Sequence, residues 1–214
     1  MNRDFYKILV VGASGKGKTY MFRNMDVNTT GFINVENKPL PFKNTFKYHK
    51  RVSSAKEALD TLIEYGKNPE IKSIVFDSFS AYMDLVLADA RATKRGFDVW
   101  TQYNEEISKF HSILNLVPKE VFVTGHYEIL DVEGTPEKRF KVHGKENEGR
   151  VERHYTVVMY ADNKYDENNK SQYYLQLSGE GISAKCPPDI FGEDVITIPN
   201  DGKYILEKVL EFVK

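Results

Sequence analysis

The chain has 214 residues and a single cysteine, Cys186, so no internal disulfide can form. A lone cysteine fits a reducing compartment, and its expected role is that of a small packed residue. Charge of one sign is also lacking: the net charge is −1. That excludes a global basic field attracting nucleic acid, so any polyanion site must be local. No apolar run approaches the roughly 20 residues that cross a bilayer. The early run Ile8-Leu9-Val10-Val11 is too short for a secretory signal. The expectation is a cytoplasmic protein without a membrane partner. No internal repeat and no long linker is visible, and the length suits one domain spanning 1–214.

What is present is an alternation of strand and helix signals. "YKILVVGA" reads as a buried strand ending at glycine. "GFINVE" reads as a second strand and "FKYHKRV" as a third. "SSAKEALDTLIEYGKNP" carries helix start and stop signals at its two ends. "IKSIVFDSF" is another buried strand, followed by helical "SAYMDLVLADARATK". In "FDVWTQYNEEISKFHSILNLVP", Ile107, Phe110, His111, Leu114 and Val117 share one helical face. "EVFVTGHYEI" returns to strand. This order predicts an α/β fold, a mostly parallel sheet flanked by helices. The last third predicts an antiparallel hairpin, "HYTVVMYA" with "QYYLQLSG", and a terminal helix over "KYILEKVLEFV".

"GASGKGKT", Gly12 to Thr19, matches G-x-x-x-x-G-K-[ST] between a predicted strand and a predicted helix, the context the motif requires. Glycines 12, 15 and 17 let successive N–H groups face phosphate oxygens, and a helix start adds partial positive charge. The candidate nucleotide-binding residues are Gly12, Ala13, Ser14, Gly15, Lys16, Gly17, Lys18, Thr19 and the adjoining Tyr20. Lys18 would reach the β- and γ-phosphates and Thr19 would ligate Mg²⁺. Lys16 is expected to be solvated.

A second acid should complete the ATP and Mg²⁺ site. Asp77 ends the apolar strand "SIVFD", where parallel α/β sheets place their ligands. It is the candidate metal-ordering acid; the bland alternative is that Asp77 or Ser78 caps the next helix. Glu36 ends "GFINVE". If that strand lies beside the phosphate-loop strand, the carboxylate could activate the water attacking the γ-phosphate; otherwise it is a solvated acid.

The order "GASGKGKT", "GFINVENKP", "SIVFDSFSAY", "VFVTGHYE" resembles the RecA-like P-loop ATPase core, and the compact "GHYE" version looks like small phage-encoded single-strand annealing ATPases. The resemblance implies that Glu36 is catalytic, that Asp77 with Ser78 ends the metal-ordering strand, and that His126 senses the γ-phosphate where RecA has glutamine. It implies a homo-oligomer, ring or filament, on single-stranded DNA, with a single-strand binding protein as a further partner, in host cytoplasm if phage-encoded. Lys185, in "GISAKCP", would reach a neighbouring subunit's nucleotide. Two DNA loops follow from it: one at 88–97 with Arg91, Lys94 and Arg95, the other at 129–150 with Lys138, Arg139, Lys141 and Lys145. Acids at 131, 133, 137, 146 and 148 leave the second stretch near neutral. Both loops are expected to be mobile, with Tyr127 and Phe140 as candidate base-stacking rings. Two other functions fit the residues: a nucleotide-gated DNA-binding module with little turnover, and a small-molecule kinase whose arginine lid would use Arg91 and Arg95.

Overall fold

The computed structural model describes residues 4–43, 45–147 and 149–214; Glu148 lies outside them. An eight-stranded sheet runs through the molecule. Its strands are β1 (Lys7–Val11), β2 (Thr30–Asn34), β3 (Tyr48–Arg51), β4 (Ser73–Asp77), β5 (Glu120–Gly125), β8 (Val157–Tyr165), β9 (Ser171–Gln176) and β10 (Thr197–Pro199). Their spatial order is β10-β9-β8-β1-β5-β4-β2-β3. From β3 to β8 every pairing is parallel, and all residues of β1, β2, β4 and β5 are buried. Continuous apolar strands are what a sheet covered on both faces requires. The C-terminal hairpin continues this same sheet, with β8 parallel to β1 and antiparallel to β9. The expected fold class is the one observed.

Side-chain alternation divides the core. Leu9, Val11, Ile33, Phe76 and Val123 pack on one face beneath helices α1 (Ala55–Lys67), α2 (Phe79–Thr93) and α3 (Asp98–Leu116). Ile8, Val10, Phe32, Val75 and Phe122 face the other way, onto Met21, Phe22 and helices α4 (Pro188–Phe191) and α5 (Gly202–Phe212). Helix α1 begins in a reciprocal cap: Ser54 Oγ accepts from the Glu57 N–H, and the Glu57 carboxylate accepts from the Ser53 N–H. Helices α2 and α3 lie antiparallel. Phe79 meets Phe110 at 4.6 Å between ring centres, and at the far end the Thr93 hydroxyl donates to Gln102 at 3.2 Å.

Three features differ from expectation. Strand β2 does not adjoin β1, because β5 and β4 stand between them. The segment after the phosphate loop is a five-residue 3₁₀ turn, Tyr20–Asn24, in place of a longer helix. Asn24, Asp26 and Asn28 explain its shortness, since such side chains compete with helix by bonding nearby backbone; Asp26 Oδ1 accepts from the Asn28 N–H at 2.8 Å. Finally, residues expected as loop are largely regular. Residues 88–93 belong to α2, and a hairpin forms from β6 (Tyr127–Val132) and β7 (Thr135–Phe140). Its two-residue turn has Glu133 and Gly134 at φ 53° and 84°, the primed geometry matching strand twist.

Candidate active site

The carboxyl ends of β1, β2, β4 and β5 deliver the site. Gly12 follows β1 and its N–H donates to the Gly125 carbonyl at the end of β5, tying the phosphate loop to the neighbouring strand. Lys18 is buried and its Nζ donates to the loop's own carbonyls, Gly12 O at 2.8 Å and Ala13 O at 2.9 Å. Burial holds its pKa below the ordinary lysine value, while Asp77 and Glu36 pull it back up. Lys16 keeps a third of its side chain exposed. It is held by β8, with Nζ 2.7 Å from Asp162 Oδ1 and 2.6 Å from Asn163 Oδ1. Gly17 is required by its backbone: φ is +82°, and a Cβ there would come 2.7 Å from the Tyr173 ring.

Asp77 ends β4, buried, on the strand that pairs directly with β5. Thr19 Oγ1 donates to its Oδ2 at 2.9 Å, and Thr124 Oγ1, from β5, donates to its Oδ1. Burial raises the Asp77 pKa above the ordinary carboxylate value; the two hydroxyls and Lys18 oppose this and Glu36 adds to it. The helix cap is the neighbour's work: Ser78 Oγ accepts from the Ala81 N–H, leaving Asp77 to the site. Thr124 was missed in the sequence. The only signal was its place at the end of an apolar run, "VFVTG", one strand from Asp77.

Glu36 reaches the same cleft although its strand is two removed from β5's partner β1. The Val35 N–H donates to the Asp77 carbonyl at 2.6 Å, carrying the β2–β4 ladder one residue further, and the chain then bends at 35–36, with Asn37 at φ 57°. Glu36 then lines one wall with Lys18, Thr19 and His126. Its carboxylate pairs with Lys38 at 3.2 Å. His126 follows β5, half-buried, its backbone N–H donating to Ser80 Oγ at 3.0 Å. Burial lowers its pKa first, Lys18 lowers it further, and Glu36 and a bond to the Gly12 backbone oppose. The ring is therefore neutral near pH 7.

The cleft has a volume of about 940 Å³, within the range of small-molecule sites. Its other end is walled by Tyr20, Arg23, Gln172, Tyr173, Pro199 and Asn200. Among the described residues no group of three or more His, Cys, Asp or Glu could cage a metal. One hydroxyl beside one carboxylate nevertheless fits Mg²⁺, which takes few protein oxygens and completes its shell with water and phosphate. Thr19 and Asp77 are the residues that would hold it.

The remaining candidates lie elsewhere. Arg95 Nη1 donates to the Arg91 and Lys94 carbonyls and so caps the end of α2; favourable cations at a helix C-terminus need no ligand. Arg139 pairs with Glu137 at 2.7 Å. Lys138 Nζ sits 5.1 Å from the Tyr127 ring centre, and Lys141 is exposed. Lys145 begins a short 3₁₀ turn, Lys145–Asn147. Phe140 is fully buried against Phe79 and is a core residue, not a stacking surface. Lys185 is exposed, and its backbone bridges to Val158 in β8; it does not line the cleft.

A family model described as an AAA domain matches residues 4–186. The chain belongs to the AAA domain family. This AAA domain is thus of the P-loop ATPase type, with its phosphate loop inside the matched region. No curated protein matches it. Among solved structures, a KaiC-like protein from the hyperthermophilic archaeon Pyrococcus horikoshii is similar, with 16% identity over 80% of this chain and 77% of that one, at a TM-score of 0.49. No helix among the described residues of the AAA domain is long and apolar enough to cross a membrane.

Proposed function

We propose that the chain binds and hydrolyses ATP with Mg²⁺ and couples turnover to single-stranded DNA, as an oligomeric annealing or recombination ATPase of the phage-encoded kind. One observation carries the hydrolytic part: Lys18, the Thr19–Asp77 pair, Glu36 and His126 meet around a single cleft. Lys18 exchanges its bonds to Gly12 and Ala13 for phosphate oxygens. Thr19 and Asp77 are the residues that would hold Mg²⁺, which would supply neutralisation of the phosphate charge. Glu36 leaves Lys38, orients the attacking water and takes its proton. Neutral His126 donates a hydrogen bond to the γ-phosphate.

The coupling rests on connectivity. The His126 carbonyl accepts from the Lys141 N–H at 2.9 Å, so the γ-phosphate contact is one residue from both ends of the β6–β7 hairpin. Movement of His126 shifts Lys138, Arg139 and Lys141 together, a loop-ordering switch of known type. The two candidate DNA segments also adjoin each other: Phe97, Trp100, Asn104, Gly144 and Glu146 line one cavity of about 760 Å³. Such cations would hold backbone phosphates without reading sequence. Lys185, exposed and outside its own cleft, is proposed to serve a neighbouring subunit. The kinase alternative loses support because Arg91 and Arg95 stand outside the cleft, at the end of α2.

The test is the ATPase rate of the protein and of Lys18→Ala, with and without single-stranded DNA. Turnover that rises with DNA and is lost in the variant is expected. Turnover indifferent to DNA would remove the coupling, and turnover in Lys18→Ala would remove the site.

A further inference from the structure

Asn200 sits between β10 and α5 and is 4% exposed. Its backbone is fixed on both sides. The Asn200 carbonyl accepts from Arg23 Nη1 at 2.8 Å, and the next residue, Asp201, caps α5 by accepting from the Lys203 and Tyr204 N–H groups. Its carboxamide makes no use of this order: both Oδ1 and Nδ2 are buried and neither has a hydrogen-bond partner. A buried amide with both ends unpaired is costly, and a ligand that supplied both partners would recover that cost.

Asn200 belongs to the wall of the nucleotide cleft, at the end away from Glu36 and Lys38. Two aromatic rings share that end. Tyr173 lies against Gly17 of the phosphate loop, and its ring centre is 5.8 Å from that of Tyr20. The Arg23 guanidinium covers the Tyr20 ring at 4.5 Å. Flat rings beside a free amide suit a nucleobase, with its face on the rings and its edge on the amide.

Resting on the ATPase reading, we propose that Asn200 reads the adenine edge, with Tyr173 and Tyr20 stacking on the ring. Adenine presents an exocyclic N6–H donor beside a ring-nitrogen acceptor, which pairs both ends of an asparagine amide at once. Guanine's corresponding edge, O6 and N7, offers two acceptors and leaves Oδ1 unpaired. Both amide atoms are closed to solvent as the side chains stand, so base entry requires the cleft wall to part; Tyr20 at the rim is 36% exposed.

The test compares binding of ATP, purine-riboside triphosphate, which lacks the N6 amino group, and inorganic tripolyphosphate, each with Mg²⁺, by calorimetry. The protein should prefer ATP to the purine riboside by roughly 5- to 150-fold, the span of a bidentate base contact. Asn200→Leu should bring that ratio near one and leave tripolyphosphate affinity unchanged. If Asn200→Leu does not fold, Asn200→Ser, too short to span both atoms, should give the same result. An unchanged ratio in either folded variant, or no preference in the parent protein, overturns the proposal while the ATPase reading stands. Binding of neither ATP nor tripolyphosphate overturns both.

Discussion

Acid should destabilise this fold through His111, and replacing that residue with phenylalanine should remove most of the effect. His111 is 2% exposed on α3. Nδ1 lies 3.0 Å from the Ile107 carbonyl and so carries the proton; Nε2 is buried with no partner. A second proton would sit on Nε2, among Phe79, Phe110 and Tyr155, with the His154 ring stacked at 4.1 Å. Burial chiefly, with His154 and Arg153 and against the Ile107 bond, pushes the pKa from 6.5 down to about 3. Because the folded value is depressed, the unfolded chain takes the proton first. The contribution is intact above about pH 6.5 and is lost progressively as pH falls towards 3. Between pH 7.5 and pH 5 the loss is about 1.5 pH units' worth, or ~2 kcal/mol. For a domain of this size that lowers Tm by roughly 4–8 °C. His111→Phe keeps an aromatic ring and gives up one hydrogen bond, on the order of 1 kcal/mol at pH 7.5. Thermal melts of both proteins at pH 7.5 and pH 5 should therefore cross, with the variant relatively stronger in acid. A gap between them that does not change with pH refutes the reasoning. The consequence reaches the active site, because Phe79 opens the helix that follows Asp77.

Asp77→Asn should leave Tm unchanged or higher, since the fold disfavours the charged form of this buried group, while Mg²⁺-dependent turnover falls by about 10² or more; a large drop in Tm would show that the carboxylate holds the strands together. Thr124→Val should lower stability by roughly 1–3 kcal/mol in denaturant titrations by leaving Asp77 Oδ1 unpaired, and a neutral result would remove Thr124 from the site. His126 is held below the ordinary imidazole value by burial and Lys18, so its protonation should not cut turnover between pH 8 and pH 7, in the protein or in His126→Gln. An inflection in that window that vanishes in the variant would contradict a neutral ring.

Much of this site was legible because its signals are local. The phosphate loop is contiguous, and Asp77 and Glu36 each end an apolar run. Sheet order was not legible: β1, β2, β4 and β5 are all buried apolar strands, and nothing in "GFINVE" says that two strands separate it from "YKILVVGA". Glu36 reaches the cleft through the bend at 35–36, where the chain leaves its pairing with β4. Residues 129–140 read as part of a charged loop, whereas they belong to a hairpin whose Phe140 packs on Phe79 and over Gly125. Thr124 and Asn200 acquire meaning only from neighbours distant in sequence. The expected helix after Thr19 failed for a local reason that was readable, the Asn and Asp residues at 24, 26 and 28.

The central claim is that Glu36 activates the attacking water in a cleft that Lys18, Thr19 and Asp77 prepare for triphosphate. Single-turnover hydrolysis by Glu36→Gln, alongside its ATP affinity, tests it most directly. Affinity within a few-fold of the parent with hydrolysis slowed by about 10²–10⁴ is the predicted result. Hydrolysis at the parental rate would contradict it.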